Sequence, residues 1–118
     1  MKRIMIVDDH PFLRESLARL LELEDEFDVV AQCIDGRDAV ETADRVMLDV
    51  IVMDLQMPVM NGADATSQIL SDHPEIVIII LTASPRCSLA ERALRAGARH
   101  CLSKSAPYTL LFDAIREA

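Results

Sequence analysis

Residues 50–53 read VIVM and residues 76–81 read IVIIIL, two unbroken apolar runs that end on Asp54 and Thr82. Runs of this length rich in Val and Ile are strand-like. Apolar side chains at odd and even positions alike require cover on both faces of a sheet, as in parallel sheets packed between helices. Working outward, β-rich stretches recur at residues 3–8, 27–33, 49–54, 76–82 and 100–103, and the segments between them carry helical periodicity. Leu13, Leu17, Leu20 and Leu21 share one face of a helix expected over residues 11–23. Ala39, Val40, Ala43, Val46 and Met47 line a second helix, and Leu110, Leu111, Ala114 and Ile115 line the last. Helices at residues 62–72 and 85–96 rely on Ala for their apolar stripes.

The punctuation agrees with alternation. Pro11 and Pro107 suit a first helical turn, Gly97 suits the position just past a helix end, and Asp35-Gly36 and Asn61-Gly62 suit loops that enter helices. The architecture that follows is a three-layer α/β domain around a parallel sheet.

Composition bounds the function. A chain of 118 residues makes one domain at roughly 100–200 residues each. With 51% hydrophobic and 27% charged residues it is globular, and with 3% aromatics its core must be aliphatic. Twenty acidic against twelve basic residues leave a net charge of −8, so the chain lacks the basic footprint for nucleic-acid backbones. Cys33, Cys87 and Cys101 form no CxxC pair and are odd in number, which points to a reducing cytoplasmic setting. Apolar runs all fall short of the roughly 20 residues of a membrane span. His10, His73 and His100 make no zinc-type spacing with one another or with the cysteines.

Ligands of parallel α/β sheets bind at the carboxyl ends of the strands, where the strand order reverses. This chain loads that edge with Asp8-Asp9 after the first strand, Asp54 after the third, Thr82-Ala83-Ser84 after the fourth and Ser103-Lys104 after the fifth. In a 2-1-3-4-5 order, the three carboxylates converge at the reversal. Packed together they repel, and one takes up a proton unless a cation intervenes. A hard divalent ion such as Mg²⁺ suits a partial carboxylate cage that leaves room for phosphate oxygens. Lys104, the Thr82 hydroxyl and the Ala83 amide would complete a phosphate site, with Asp54 as the nucleophile that becomes an acyl phosphate. Singly, each residue has a plain explanation: Asp8 and Asp9 as caps, Asp54 as a loop acid, Thr82 as a strand former, Lys104 as a surface charge. Their coincidence at one edge is what argues for a site.

The motifs IVDDH at residues 6–10, DLQMPVMNG at 54–62, LTA at 81–83 and the AGA…K spacing from Ala96 to Lys104 closely resemble the receiver domain of bacterial two-component response regulators. The match spans the whole chain. The DDHP opening and the ending SAPYTLLFDAIREA look most like the NarL/FixJ branch, which usually carries a C-terminal helix-turn-helix domain of LuxR type. The resemblance implies a flavodoxin-like (βα)5 fold over residues 1–118, with any DNA contact made by an output domain outside them. It implies Asp54 as phosphoacceptor, with Asp9, Asp54 and the Gln56 carbonyl as Mg²⁺ ligands and Asp8 assisting. Thr82 would be the switch hydroxyl and Lys104 its partner at the phosphoryl group. The implied donor is a phosphohistidine on a sensor histidine kinase, the implied assembly a homodimer on phosphorylation, and the implied chemistry self-phosphorylation and self-dephosphorylation only.

Two departures stand out. His100-Cys101 occupies the place of a customary aromatic, and Ser105 rather than proline follows Lys104. Phe12 lies off the leucine stripe of its helix, so partial exposure and a docking role are expected. A haloacid-dehalogenase-type phosphatase would need DxDxT where this chain has DDHPF, and a flavodoxin would need a Ser/Thr-rich loop and aromatic walls. A phosphate-independent binding module would not need the intact acidic set, Thr82 and Lys104.

Overall fold

Strands and helices alternate without exception in the computed structural model, which describes residues 1–118: β1 (Lys2–Val7), α1 (Pro11–Glu22), β2 (Phe27–Cys33), α2 (Gly36–Ala43), β3 (Val50–Met53), α3 (Gly62–Asp72), β4 (Val77–Thr82), α4 (Ser88–Ala96), β5 (His100–Ser103) and α5 (Tyr108–Arg116). The five strands are parallel in the order β2-β1-β3-β4-β5. Register places Val7 beside Met53, Met53 beside Ile80, and Thr82 beside Ser103.

Strand alternation sorts the apolar runs into two cores. Met5, Val7, Ile51, Met53, Ile78 and Ile80 face α2, α3 and α4, while Ile4, Ile6, Val50, Val52, Val77 and Ile79 face α1 and α5. Both sets are needed because both faces are covered. Truncating a wholly buried residue such as Ile51 or Ile79 to Ala removes contacts worth about 2–5 kcal/mol.

Helix ends follow tertiary contacts more than local pattern. The second helix stops at Ala43, and Met47 is 80% exposed rather than part of its face. The Arg3 side chain donates to the Met47 carbonyl and the Arg3 amide to the Asp49 carboxylate, both at 2.8 Å, so the chain is drawn outward and Leu48 takes the core position. The fourth helix starts at Ser88, not at Pro85, because residues 84–87 close a turn through the Cys87 N–H and Ser84 carbonyl. Pro107 is the residue that precedes α5, with extended ψ, whereas Pro11 does open α1. Leu13, at a cleft it shares with Leu17, Leu81 and Tyr108, and Leu110 are half-exposed rather than part of the core. Asp35 and Asn61 cap α2 and α3 through the amides of Asp38 and Asp64, and Gly97 ends α4 at φ 118°, a conformation that favours glycine.

Three bonds extend the sheet ladder one residue beyond the strands. The Asp8 amide donates to Cys33 O at 3.1 Å, the Asp54 amide to Val7 O at 3.0 Å, and the Lys104 amide to Thr82 O at 2.8 Å. The chain after Asp54 then doubles back, and Gly62 packs against it so closely that an added Cβ would lie 2.1 Å from the Asp54 carbonyl oxygen. Backbone cannot yield as a side-chain tip can. Gly62→Ala is therefore expected to destabilise the chain by about 1–3 kcal/mol, measured as a lower urea midpoint. A midpoint equal to that of the parent would show that this approach is not limiting.

Candidate functional site

The strand order reverses between β1 and β3, and the acids gather there. Asp8 and Asp54 are buried and Asp9 is half-buried. Ligand atoms of Asp8, Asp9, His10 and Asp54 all lie within 4.8 Å of one another. Asp54 Oδ1 accepts the Leu55 N–H at 2.8 Å, and its Oδ2 accepts the Lys104 ammonium at 3.0 Å. The same ammonium donates to Asp8 Oδ2 at 2.9 Å. Lys104 thus brings positive charge to two of the three converging carboxylates.

Environment separates the two acids that share it. Burial raises the Asp8 carboxyl, but the His10 amide, the Lys104 ammonium and the His10 ring together outweigh it, and the group stays below its ordinary value. Burial also raises Asp54; Lys104 and the Leu55 amide offset it only in part, Asp8 adds repulsion, and the group remains above its ordinary value. Burial alone would lower the Lys104 ammonium, yet its bonds to Asp8 and Asp54 raise it, so the lysine stays charged. Asp54 is the acid whose charge the fold tolerates least.

The other residues singled out in the sequence lie on the same rim. Thr82 is buried at the end of β4, where its Oγ1 accepts the Ser84 N–H at 3.2 Å. Ala83 follows it, exposed, and Gln56 is exposed two residues beyond Asp54. Between Gln56 and Gly62 the loop carries strain: Val59 has φ 69°, and the Met60 N–H donates to Pro58 O at 2.7 Å across it. A β-branched residue there costs about 1–3 kcal/mol. Cys101 is half-buried beside the α2–α4 core, its thiol donating to the Pro85 carbonyl at 3.7 Å, and alternation sends His100 to the other face.

Two residues that the motifs did not single out also meet the site. His10 Nδ1 lies 3.1 Å from Asp8 Oδ1 and 3.3 Å from Asp9 Oδ1. Arg14 donates through Nη1 to the Asp8 carbonyl at 2.9 Å. Arg14 was findable in principle, one helical turn past His10. His10 was not, because its ring direction depends on the backbone ahead of Pro11.

A doubly covered parallel sheet with three acids and a lysine at its switch point defines the receiver class of signalling domains. Residues 4–116 match the family described as the response regulator receiver domain, and the chain belongs to that family. Among relatives, the nitrate/nitrite response regulator NarP of Escherichia coli (strain K12) is 40% identical over 114 residues, covering 97% of this chain and 53% of NarP. The transcriptional regulatory protein DegU of Brevibacillus brevis is 36% identical over 114 residues, covering 97% of this chain and 48% of DegU. The chain spans about half the length of these relatives. Among solved structures, a LuxR-family two-component response regulator from Aurantimonas sp. SI85-9A1 superposes with a TM-score of 0.92 at 35% identity, covering 99% of this chain and 84% of that one. The resemblance to the NarL/FixJ branch agrees with these likenesses.

The raised Asp54 carboxyl carries a stability consequence with a definite sign. Between its ordinary value of 3.8 and its native value, the folded state holds a proton that the unfolded state has lost, so stability falls as pH rises through that window. Asp54→Asn removes the disfavoured charge while an amide oxygen can still accept the Leu55 N–H. The variant is expected to unfold at higher urea than the parent at pH 7 without metal, and the difference is expected to vanish below pH 3.8. A variant less stable than the parent at pH 7 would contradict it.

Proposed function

We propose that Asp54 accepts a phosphoryl group from a phosphohistidine on a sensor histidine kinase, and that the resulting charge regulates an output module. The observation that carries this reading is the placement of Asp54: buried at the switch point, bonded through Oδ2 to Lys104, with Asp8 and Asp9 alongside. Asp54 Oδ would attack phosphorus as the donor's P–N bond breaks, and the imidazole nitrogen keeps the bonding electron pair. Lys104 would follow the negative charge from the carboxylate to the phosphoryl oxygens, joined there by the Thr82 hydroxyl and the Ala83 N–H.

The residues fit a divalent cation. Asp9 Oδ1 is buried with no hydrogen-bond partner, and a buried anionic oxygen left bare calls for positive charge. Asp8, Asp9, Asp54 and the Gln56 carbonyl would hold Mg²⁺, which when bound neutralises the acids and screens the incoming phosphoryl oxygens. The chemistry stays within the chain, self-phosphorylation and self-dephosphorylation, with no separate substrate turned over. The output module would be a helix-turn-helix domain of LuxR type outside the 118 residues, through which transcription is controlled; pairing of two copies on phosphorylation belongs to the same reading. No helix here is long and apolar enough to cross a membrane.

Intact-mass measurement after treatment with a small acyl phosphate and Mg²⁺ tests the site. One phosphoryl group is expected on the parent, none without Mg²⁺ and none on Asp54→Ala. Equal uptake by Asp54→Ala would overturn the assignment.

The mouth of the site is apolar on one side. Phe12 is 78% exposed, and a cleft of about 110 Å³ runs between Leu13, Leu17, Leu81 and Tyr108 beside Asp8 and Lys104. An exposed aromatic at that position suits a kinase contact better than a core contact. Phe12→Ala is expected to slow phosphoryl transfer from the kinase by about tenfold, ~1.4 kcal/mol, while uptake from the small acyl phosphate is unchanged. Equal loss of both would assign Phe12 to folding.

A further inference from the structure

We propose, resting on the reading of Asp8, Asp9 and Asp54 as a divalent cation site, that His10 adds a nitrogen ligand and gives the pocket a preference for borderline transition-metal cations such as Mn²⁺, Co²⁺ and Zn²⁺ over Mg²⁺. The ring is mostly exposed, 62% by side chain, yet its Nδ1 edge is turned inward against two carboxylates. The backbone enforces this direction. His10 sits just before Pro11 with φ −93° and ψ 104°, the extended conformation to which a residue preceding proline is confined. Its N–H donates to Asp8 Oδ1 at 2.9 Å, so the backbone and the ring of His10 meet the same carboxylate oxygen.

The spacing suits shared coordination. Ligands about 2.1 Å from an octahedral ion stand roughly 3.0 Å apart along each edge. His10 Nδ1 is 3.1 Å from Asp8 Oδ1 and 3.3 Å from Asp9 Oδ1, two edges close to that length. Asp54 supplies the fourth ligand atom of a group whose members all lie within 4.8 Å of one another. Lys104 engages Asp8 Oδ2 and the His10 amide engages Asp8 Oδ1, which keeps one lone pair for an ion, and Asp9 Oδ1 is the buried oxygen with no hydrogen-bond partner. An all-oxygen shell suits Mg²⁺, whereas one imidazole favours the later first-row ions and zinc.

The 118-residue chain titrated with Mn²⁺ and followed by electron paramagnetic resonance tests this directly. Pulsed spectra of the bound ion are expected to show ¹⁴N coupling from a ligated imidazole, absent in His10→Ala and in His10→Gln, the second variant guarding against a folding effect. Mg²⁺ is expected to displace Mn²⁺ from His10→Ala at a concentration lower by about tenfold or more than from the parent, and the ratio of Zn²⁺ to Mg²⁺ concentrations needed for displacement is expected to rise in the variant. Bound Mn²⁺ without ¹⁴N coupling, or an unchanged Zn²⁺-to-Mg²⁺ ratio in His10→Ala, overturns the ligand role and leaves the acidic cation site standing. Mn²⁺ that fails to bind the parent, or binds Asp9→Ala as well, overturns the cation site itself and the histidine proposal with it.

Discussion

One ammonium group held between two buried carboxylates sets the terms for the rest of the site. Lys104 Nζ reaches Asp8 and Asp54 at 2.9 and 3.0 Å from the end of β5, across 96 and 50 residues of sequence. Without it the sheet edge would bury several uncompensated negative charges, a cost that proteins otherwise avoid by protonation. With it the charge is only partly balanced. Asp8 is stabilised as an anion and Asp54 is not, although they share the same cation. Each accepts one backbone amide, that of His10 on Asp8 and that of Leu55 on Asp54, but Asp8 is also bonded by the His10 ring while Asp54 feels the repulsion of Asp8. The fold thus sets the two acids apart, one held as an anion and the other poised above its ordinary value beside the same lysine.

Holding such a group in place takes rigid backbone on every side. The ladder bonds from Asp54 to Val7, Asp8 to Cys33 and Lys104 to Thr82 make the functional residues the last rungs of the sheet rather than loop residues. The following loop is forced to accommodate them. Gly62 presses on the Asp54 carbonyl and bonds to Leu55 O at 2.8 Å, Leu55 is fully buried, and the intervening chain reverses through Val59 in a left-handed conformation. The strain at Val59 and the close approach at Gly62 answer the same demand, since both let the loop return to the sheet within a few residues. Strain at such a position persists because the surrounding bonds over-determine it.

Much of this was legible in the sequence because it rests on short-range pattern. The two-sided apolar runs of β3 and β4 imply a covered parallel sheet, and acids directly after strand ends imply a loaded edge. What escaped was decided across the fold. Met47 fits the periodicity of α2, but the bonds of Arg3 to Met47 and Asp49 pull it into solvent and seat Leu48 instead. Leu13 and Leu110 fit apolar stripes, yet both are half-exposed. The bonds of Lys104 to both Asp8 and Asp54 likewise depend on contacts between distant strands. His10 has no histidine or cysteine at zinc-type spacing, and its partners are the two aspartates immediately before it.

The edge formed by β4 and β5 ties this electrostatic centre to the far side of the domain. Lys104 is bonded through its amide to the Thr82 carbonyl, so a pull on the ammonium is a pull on the end of β4. Thr82 in turn organises the chain beyond it through Oγ1 and the Ser84 N–H, and Ser84 closes the turn that delivers Cys87 to the start of α4. Beneath that turn lies Cys101, a small side chain whose thiol donates to the Pro85 carbonyl. An aromatic there could report on Thr82 by swinging in and out of a space that a cysteine is too short to fill. On the proposed function, then, a charge gained at Asp54 reaches α4 through the Thr82 hydroxyl, because its bond to the Ser84 N–H and the turn from Ser84 to Cys87 connect the end of β4 to the helix.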